Sequence, residues 1–89
     1  MNISSKSPNN MVWIATFHSH YGALTFLRRL QEMGDEGAEM IPAPRRLSIS
    51  CGSAVRFFIP FDEAAMPDED TDGVFIEENG DYRQVFSND

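Results

Sequence analysis

The only thiol in the 89-residue chain is Cys51. A lone cysteine can neither close an internal disulfide nor complete a cysteine-based zinc cage, so any chemistry it performs is nucleophilic and ends on a partner. The reactive form is the thiolate. A free thiol has a pKa of about 8.5 and needs electrostatic help near neutral pH. Ser48, Ser50, Gly52 and Ser53 surround Cys51 with small polar residues, the composition of an accessible loop. Arg45 and Arg46 lie six and five residues upstream and carry full positive charges, while His18 and His20 could accept a proton. Against this stands the behaviour of many free cysteines, which pack as small buried hydrophobes. On these residues alone both readings stay open.

The second pattern is Asp68-Glu-Asp70-Thr-Asp72-Gly73, which has the spacing of a calcium loop's first half. Counting from Asp68, the twelfth position is Asn79 rather than a bidentate Glu, and Pro67 precedes the run where a helix should be. The segment therefore reads as an acidic solvated loop, with Asp68, Asp70 and Asp72 the only metal-ligand candidates. His18-x-His20 with one cysteine is an incomplete zinc set, and Arg28-Arg29 reads as a solvated pair on a helix face. Nothing resembles a phosphate loop, a hydrolase elbow or a catalytic carboxylate pair, and no cofactor is expected. The 14 acidic residues against 7 basic ones, a net charge of -7, argue against nucleic acid or an anionic membrane as partner. The longest apolar stretch, Met11 to Phe17, is far short of the roughly 20 residues that span a bilayer. With no charged and apolar leader sequence at the start, a cytoplasmic chain is expected.

The elements that must position these groups can be read in turn. Residues 1–10 are polar and turn-forming, a flexible leader; 11–86 form one domain; 87–89 are a tail. Met11–Phe17 is β-branched and aromatic without clean alternation, which suits a central strand covered on both faces. Ser19 sits where a helix N-cap belongs and Gly34 where a C′ glycine belongs. Between them Ala23, Phe26, Leu27, Leu30 and Met33 recur at three- and four-residue spacing, an amphipathic helix. Ala38–Ile41 reads as a second strand stopped by Pro42, and Ala54–Ile59 as a third, with Val55, Phe57 and Ile59 on one face. Phe61–Met66 has room for one helical turn or two before Pro67. Asn79-Gly80 supplies both positive-φ positions of a type I′ turn, joining Gly73–Glu78 to Asp81–Phe86. That register pairs Glu78 with Asp81, Ile76 with Arg83 and Val74 with Val85, and puts Phe75, Tyr82 and Phe86 on the other face.

This order predicts an α+β fold: a ferredoxin-like β-α-β-β core with a shortened second helix and a C-terminal β-hairpin. In that topology the third strand lies between the first and second, antiparallel to both. The end of strand one at Phe17-His18 then meets the start of strand three at Cys51-Gly52, and the helix N-terminus after Ser19 points at the same spot. A helix N-terminus offers roughly half a positive charge and free N–H donors, what a thiolate needs.

Thr16-Phe-His-Ser19 entering a helix, then Ile41-Pro-Ala-Pro-Arg-Arg-Leu-Ser-Ile-Ser-Cys-Gly52 and the strand Ala54-Val-Arg-Phe57, closely resembles the Se/S carrier protein-like family of small bacterial proteins. The likeness covers about residues 11–59. It implies that Cys51 holds selenium or sulfur as a persulfide-type group, acting as a carrier more than as a turnover enzyme. It further implies that Arg45, Leu47, Ser48, Ser50 and Gly52 form the surrounding motif, with Phe17 and Ser19 matching the first one. With His18 as a candidate proton acceptor, the expected supporting residues are His18, Ser19, Arg45, Ser48, Ser50 and Gly52. The implied partners are a sulfur or selenium donor protein, from which Cys51 takes the chalcogen, and an acceptor protein. Family members usually carry a longer second helix, which Pro67 cuts short here.

A thin helix layer and the aromatics Phe58, Phe61, Phe75 and Phe86 leave two expectations. Either the hairpin curls over to close the core, or a homodimer covers the apolar surface. The alternative function is a non-catalytic dimerising or protein-interaction domain in which Cys51 is structural.

Overall fold

Among the described residues six elements form: β1 (Val12–Phe17), α1 (His20–Glu32), β2 (Glu39–Pro42), β3 (Ser53–Phe57), β4 (Thr71–Glu78) and β5 (Asp81–Ser87). They are seen in a computed structural model that describes residues 11–47 and 52–88. The expected leader at 1–10, Asp89 at the end of the expected tail, and Ser48, Ser50 and Cys51 of the cysteine motif lie outside the described residues. The architecture is α+β, one helix on a five-stranded sheet of order β2-β3-β1-β4-β5. Every pairing is antiparallel. The third strand lies between the first and second, as expected. β1 is central because it can be wet on neither face: Ile14, Ala15, Thr16 and Phe17 are all buried.

Both helix ends follow from local chemistry. Ser19 is extended (φ -142, ψ 157) and its Oγ accepts the Gly22 N–H at 3.0 Å, which satisfies one of the first-turn donors. At the other end Gly34 takes φ +99. The Gly34 N–H donates to the Gln31 carbonyl at 3.1 Å and the Asp35 N–H to the Leu30 carbonyl at 3.0 Å, the paired bonds of a Schellman motif.

The buried stripe of α1, including Ala23, Phe26 and Leu30, packs on Ala15, Phe17, Val55, Phe57 and Val74 of the sheet. Aromatic rings run through this layer: Phe17 to Phe26 at 5.1 Å, Phe26 to Phe57 at 5.6 Å and Phe57 to Trp13 at 6.2 Å between centroids. Phe61 continues it, 6.2 Å from Trp13 and 5.7 Å from Phe86. The part of the sheet beyond the helix is thus closed from within by the 59–66 segment and the hairpin. The opposite face carries a smaller cluster of Ile14, Leu47 and Ala54, against which Ile41, Ala43, Phe75 and Tyr82 pack.

The shortened second helix is a single turn, one of the two lengths expected: the Met66 N–H donates to the Asp62 carbonyl at 2.9 Å, and α1 is the one helix among the described residues. Three sequence expectations are corrected. β2 is shifted by one residue and takes in Pro42, paired with Ser53; on an edge strand a proline costs no ladder bond. β3 stops at Phe57 instead of Ile59 because the Phe58 and Ile59 N–H groups donate to Asp35 Oδ2. The hairpin keeps the Glu78–Asp81 and Ile76–Arg83 pairs, but a bulge between Val74 and Phe75 pairs Val74 with Phe86 rather than Val85. The extra residue moves Phe86 onto the helix-side core, while Phe75 and Tyr82 stay on the other face.

Candidate functional site

The end of the sheet where β1 leaves and β3 enters is the place to which the sequence points. Thr16 pairs with Ala54, which sets the end of β1 beside the start of β3. The first residue of α1 is bonded across this junction, His20 Nδ1 lying 3.1 Å from Ser53 Oγ. Gly52, just before β3, has φ +79, a conformation that side-chain-bearing residues rarely adopt. Its carbonyl accepts the Ala43 N–H at 3.0 Å, which ties together the two ends of the segment that carries Cys51. The residue two positions after Cys51 is therefore held at the N-terminus of α1, where the N–H groups of His20 and Tyr21 have no partner within the helix.

The acidic loop packs on the other side of the same helix start. An ideal Cβ on Gly22 would lie 2.6 Å from Asp70 Cβ and 2.9 Å from its Cγ, so only glycine lets the loop approach. The His18 N–H donates to the Asp70 carbonyl at 2.9 Å, and His18 Nε2 is 3.9 Å from Asp72 Oδ1. Asp68 is spent on structure. Its Oδ1 accepts the Asp70 N–H at 2.9 Å and the Thr71 hydroxyl at 3.2 Å, and its Oδ2 accepts from Arg29 at 3.1 Å. The aspartates thus serve as an Asx turn, a helix-start contact and a histidine partner. Among the described residues no group of three or more His, Cys, Asp or Glu side chains is arranged to hold a metal ion.

Gly22→Ala is expected to destabilise the fold by about 1–3 kcal/mol, since the new methyl must displace loop backbone and not a flexible side-chain tip. Urea unfolding measures the loss. Adding Asp70→Gly, which removes the opposing Cβ, should recover part of it; a double variant that simply sums the two single losses would mean that the contact is not the cause.

The sequence candidates fall into three groups. His18, Ser19 and Gly52 come together with His20 and Ser53 at the helix N-terminus. Arg45 is exposed in the turn after β2. Arg46 turns away from the site: it pairs with Asp81 and reaches the Gly80 carbonyl at 3.4 Å, at the hairpin tip. That tip lies beyond Val12–Glu77, the opposite end of the sheet from Phe17–Thr71. The His20–Ser53 bond escaped the sequence reading, since residues 33 apart carry no local signal for each other.

The family model described as "Putative Se/S carrier protein-like" matches residues 12–66, more than half of the chain. The chain belongs to this family. The matched span holds β1, α1, β2, the cysteine segment and β3, and stops before the acidic loop and the hairpin. Comparison with curated proteins and with solved structures gives no match. No helix among the described residues is long and apolar enough to cross a membrane.

Proposed function

We propose that this Se/S carrier-like protein holds a sulfur or selenium atom on Cys51 and passes it between two partner proteins. In the sulfur case the Cys51 thiolate attacks the outer sulfur of a donor protein's cysteine persulfide. The donor's S–S bond breaks, its cysteine leaves as a thiolate, and Cys51 becomes the persulfide. An acceptor nucleophile then attacks the terminal sulfur, and Cys51 leaves as a thiolate. The zero-valent sulfur moves with no net oxidation, and a perselenide would transfer selenium by the same steps. With no second thiol in the chain, release goes to a partner.

The observation that carries this reading is the 3.1 Å His20–Ser53 bond, which ties the strand start just after Cys51 to the positive end of α1. His18, Ser19, Arg45, Ser48, Ser50 and Gly52 are the supporting residues of the proposal, with His20 added. The ferredoxin-like core, a cytoplasmic location and a homodimer belong to the same reading. A carrier thiol must stay reduced, which suits a reducing compartment. Tyr21 and Leu24 are exposed on the first turns of α1 and offer apolar surface to a second protein or a second copy.

The test is mass spectrometry after incubation with a cysteine desulfurase and cysteine. The wild-type chain should gain one sulfur on Cys51, and Cys51→Ser should gain none. An active desulfurase that leaves the wild-type chain unmodified would sink the proposal. The rate of alkylation against pH separates the alternative: a carrier thiol reacts with a midpoint below the free-cysteine value, whereas a packed cysteine in an interaction domain stays silent until unfolding.

A further inference from the structure

Among the described residues, the face of the sheet away from α1 is covered by the chain after β2 and not by a helix. After β2, residues 43–47 leave the Pro42–Ser53 end of the sheet and cross this face toward the hairpin tip. Leu47, only 6% exposed, is the plug and packs with Ile14 and Ala54. The Leu47 N–H closes a turn onto the Pro44 carbonyl at 2.9 Å. Beyond the plug, the attachment at the hairpin tip is Arg46 on Asp81 and Gly80. The Arg46 and Asp81 side chains are 62% and 79% exposed, so water and salt screen their attraction. Beside them lies an open cleft of about 420 Å³ lined by Arg46, Leu47, Phe75, Asp81, Tyr82 and Gln84.

We propose that residues 43–47 are a strap that opens as its own unit, with Leu47 as plug and Arg46–Asp81 as a salt-sensitive latch. The strap leads directly into the segment that carries Cys51, and its first residue is tied to Gly52, the residue that follows Cys51. Opening the latch at the hairpin tip therefore loosens the chain on the N-terminal side of the thiol while the sheet stays folded. This couples the hairpin, which lies outside the family match, to the cysteine motif within it. It holds whether or not the thiol carries a chalcogen.

Amide exchange in low urea tests the strap directly. Ala43 and Leu47 should exchange at least about 100-fold faster than Ile14, Ala15 and Val55, with little dependence on urea below the unfolding transition. Asp81→Asn, and separately 0.5 M NaCl on the wild-type chain, should speed the two strap amides by about 2- to 5-fold and leave the core amides unmoved. The rate of Cys51 alkylation by neutral iodoacetamide should rise by the same factor in both arms. Exchange of Ala43 and Leu47 with the urea dependence of the core would overturn the strap as a separate unit. A thiol rate that stays flat while the strap amides accelerate would overturn the coupling. Neither outcome bears on sulfur loading, which the desulfurase assay reads separately.

Discussion

Phe57→Ala is expected to cost about 3–5 kcal/mol, the usual range for emptying a fully buried phenylalanine site. A chain of this size has a total stability on the order of 5–10 kcal/mol, so the variant should sit close to its unfolding midpoint at room temperature. The size of the effect comes from what the ring joins. Phe57 is 0% exposed and meets Phe26 of α1 edge-on at 5.6 Å and Trp13 of β1 in a stacked arrangement at 6.2 Å. Removing it cuts the helix from the sheet and unseats the chain's one tryptophan in a single step. Trp13 fluorescence and near-ultraviolet circular dichroism should both report the loss, with the denaturant midpoint falling accordingly. Phe57→Leu keeps most of the volume and should cost about 1–1.5 kcal/mol. A Phe57→Ala protein within about 1 kcal/mol of wild type would mean that the layer collapses to fill the space and that the aromatic chain is not what joins helix to sheet.

How much of this was legible depends on how far apart the cooperating residues lie. Ser19, Gly34 and Asn79-Gly80 act on neighbours within a few positions, and the helix ends and the hairpin turn stand where those residues put them. The centrality of β1 was legible too, because burial on both faces leaves a β-branched and aromatic run without apolar–polar alternation. The hairpin register went wrong at its far end, where packing of Phe86 on Phe61, 25 residues away, goes with an extra residue in the strand. The surplus of aromatics is largely absorbed inside the chain: Phe61 and Phe86 pack together and Phe75 joins the opposite face. Phe58, 45% exposed, is the exception. At the candidate site the cysteine motif was visible as a pattern of residue types. The direction of Arg46 was not, since nothing near it in sequence names Asp81 as its partner. The acidic loop had a calcium-like spacing, yet Asp68 turned inward to Arg29 and its own loop, a choice made by α1 and not by the spacing.

Asp35 is the residue the sequence concealed most completely, and the second large effect is expected there. It is a carboxylate only 5% exposed, and it accepts three backbone N–H groups: Phe58 at 2.7 Å and Ile59 at 3.0 Å on Oδ2, and Gly37 at 3.2 Å on Oδ1. These bonds turn the chain out of β3 after Phe57 and pin it to the loop between α1 and β2. Asparagine has nearly the same shape but one acceptor oxygen. If that oxygen serves Phe58 and Ile59, the amide nitrogen faces the Gly37 N–H, donor against donor. Asp35→Asn is therefore expected to cost about 2–3 kcal/mol, combining the loss of charge-assisted bonds with one unsatisfied buried donor. Asp35→Ala leaves all three donors without the carboxylate and should cost more, about 3–4 kcal/mol. Urea unfolding gives both values, and the order matters as much as the size. An alanine variant no worse than the asparagine one would mean that water replaces the carboxylate and that the clamp is not buried in solution. Asp35 acts at Phe58, the far end of β3 from Ser53, so the folded fraction of either variant should still take up sulfur on Cys51 at the wild-type rate. Loss of loading in protein that remains folded would instead show that the strand transmits strain from one end of the sheet to the other.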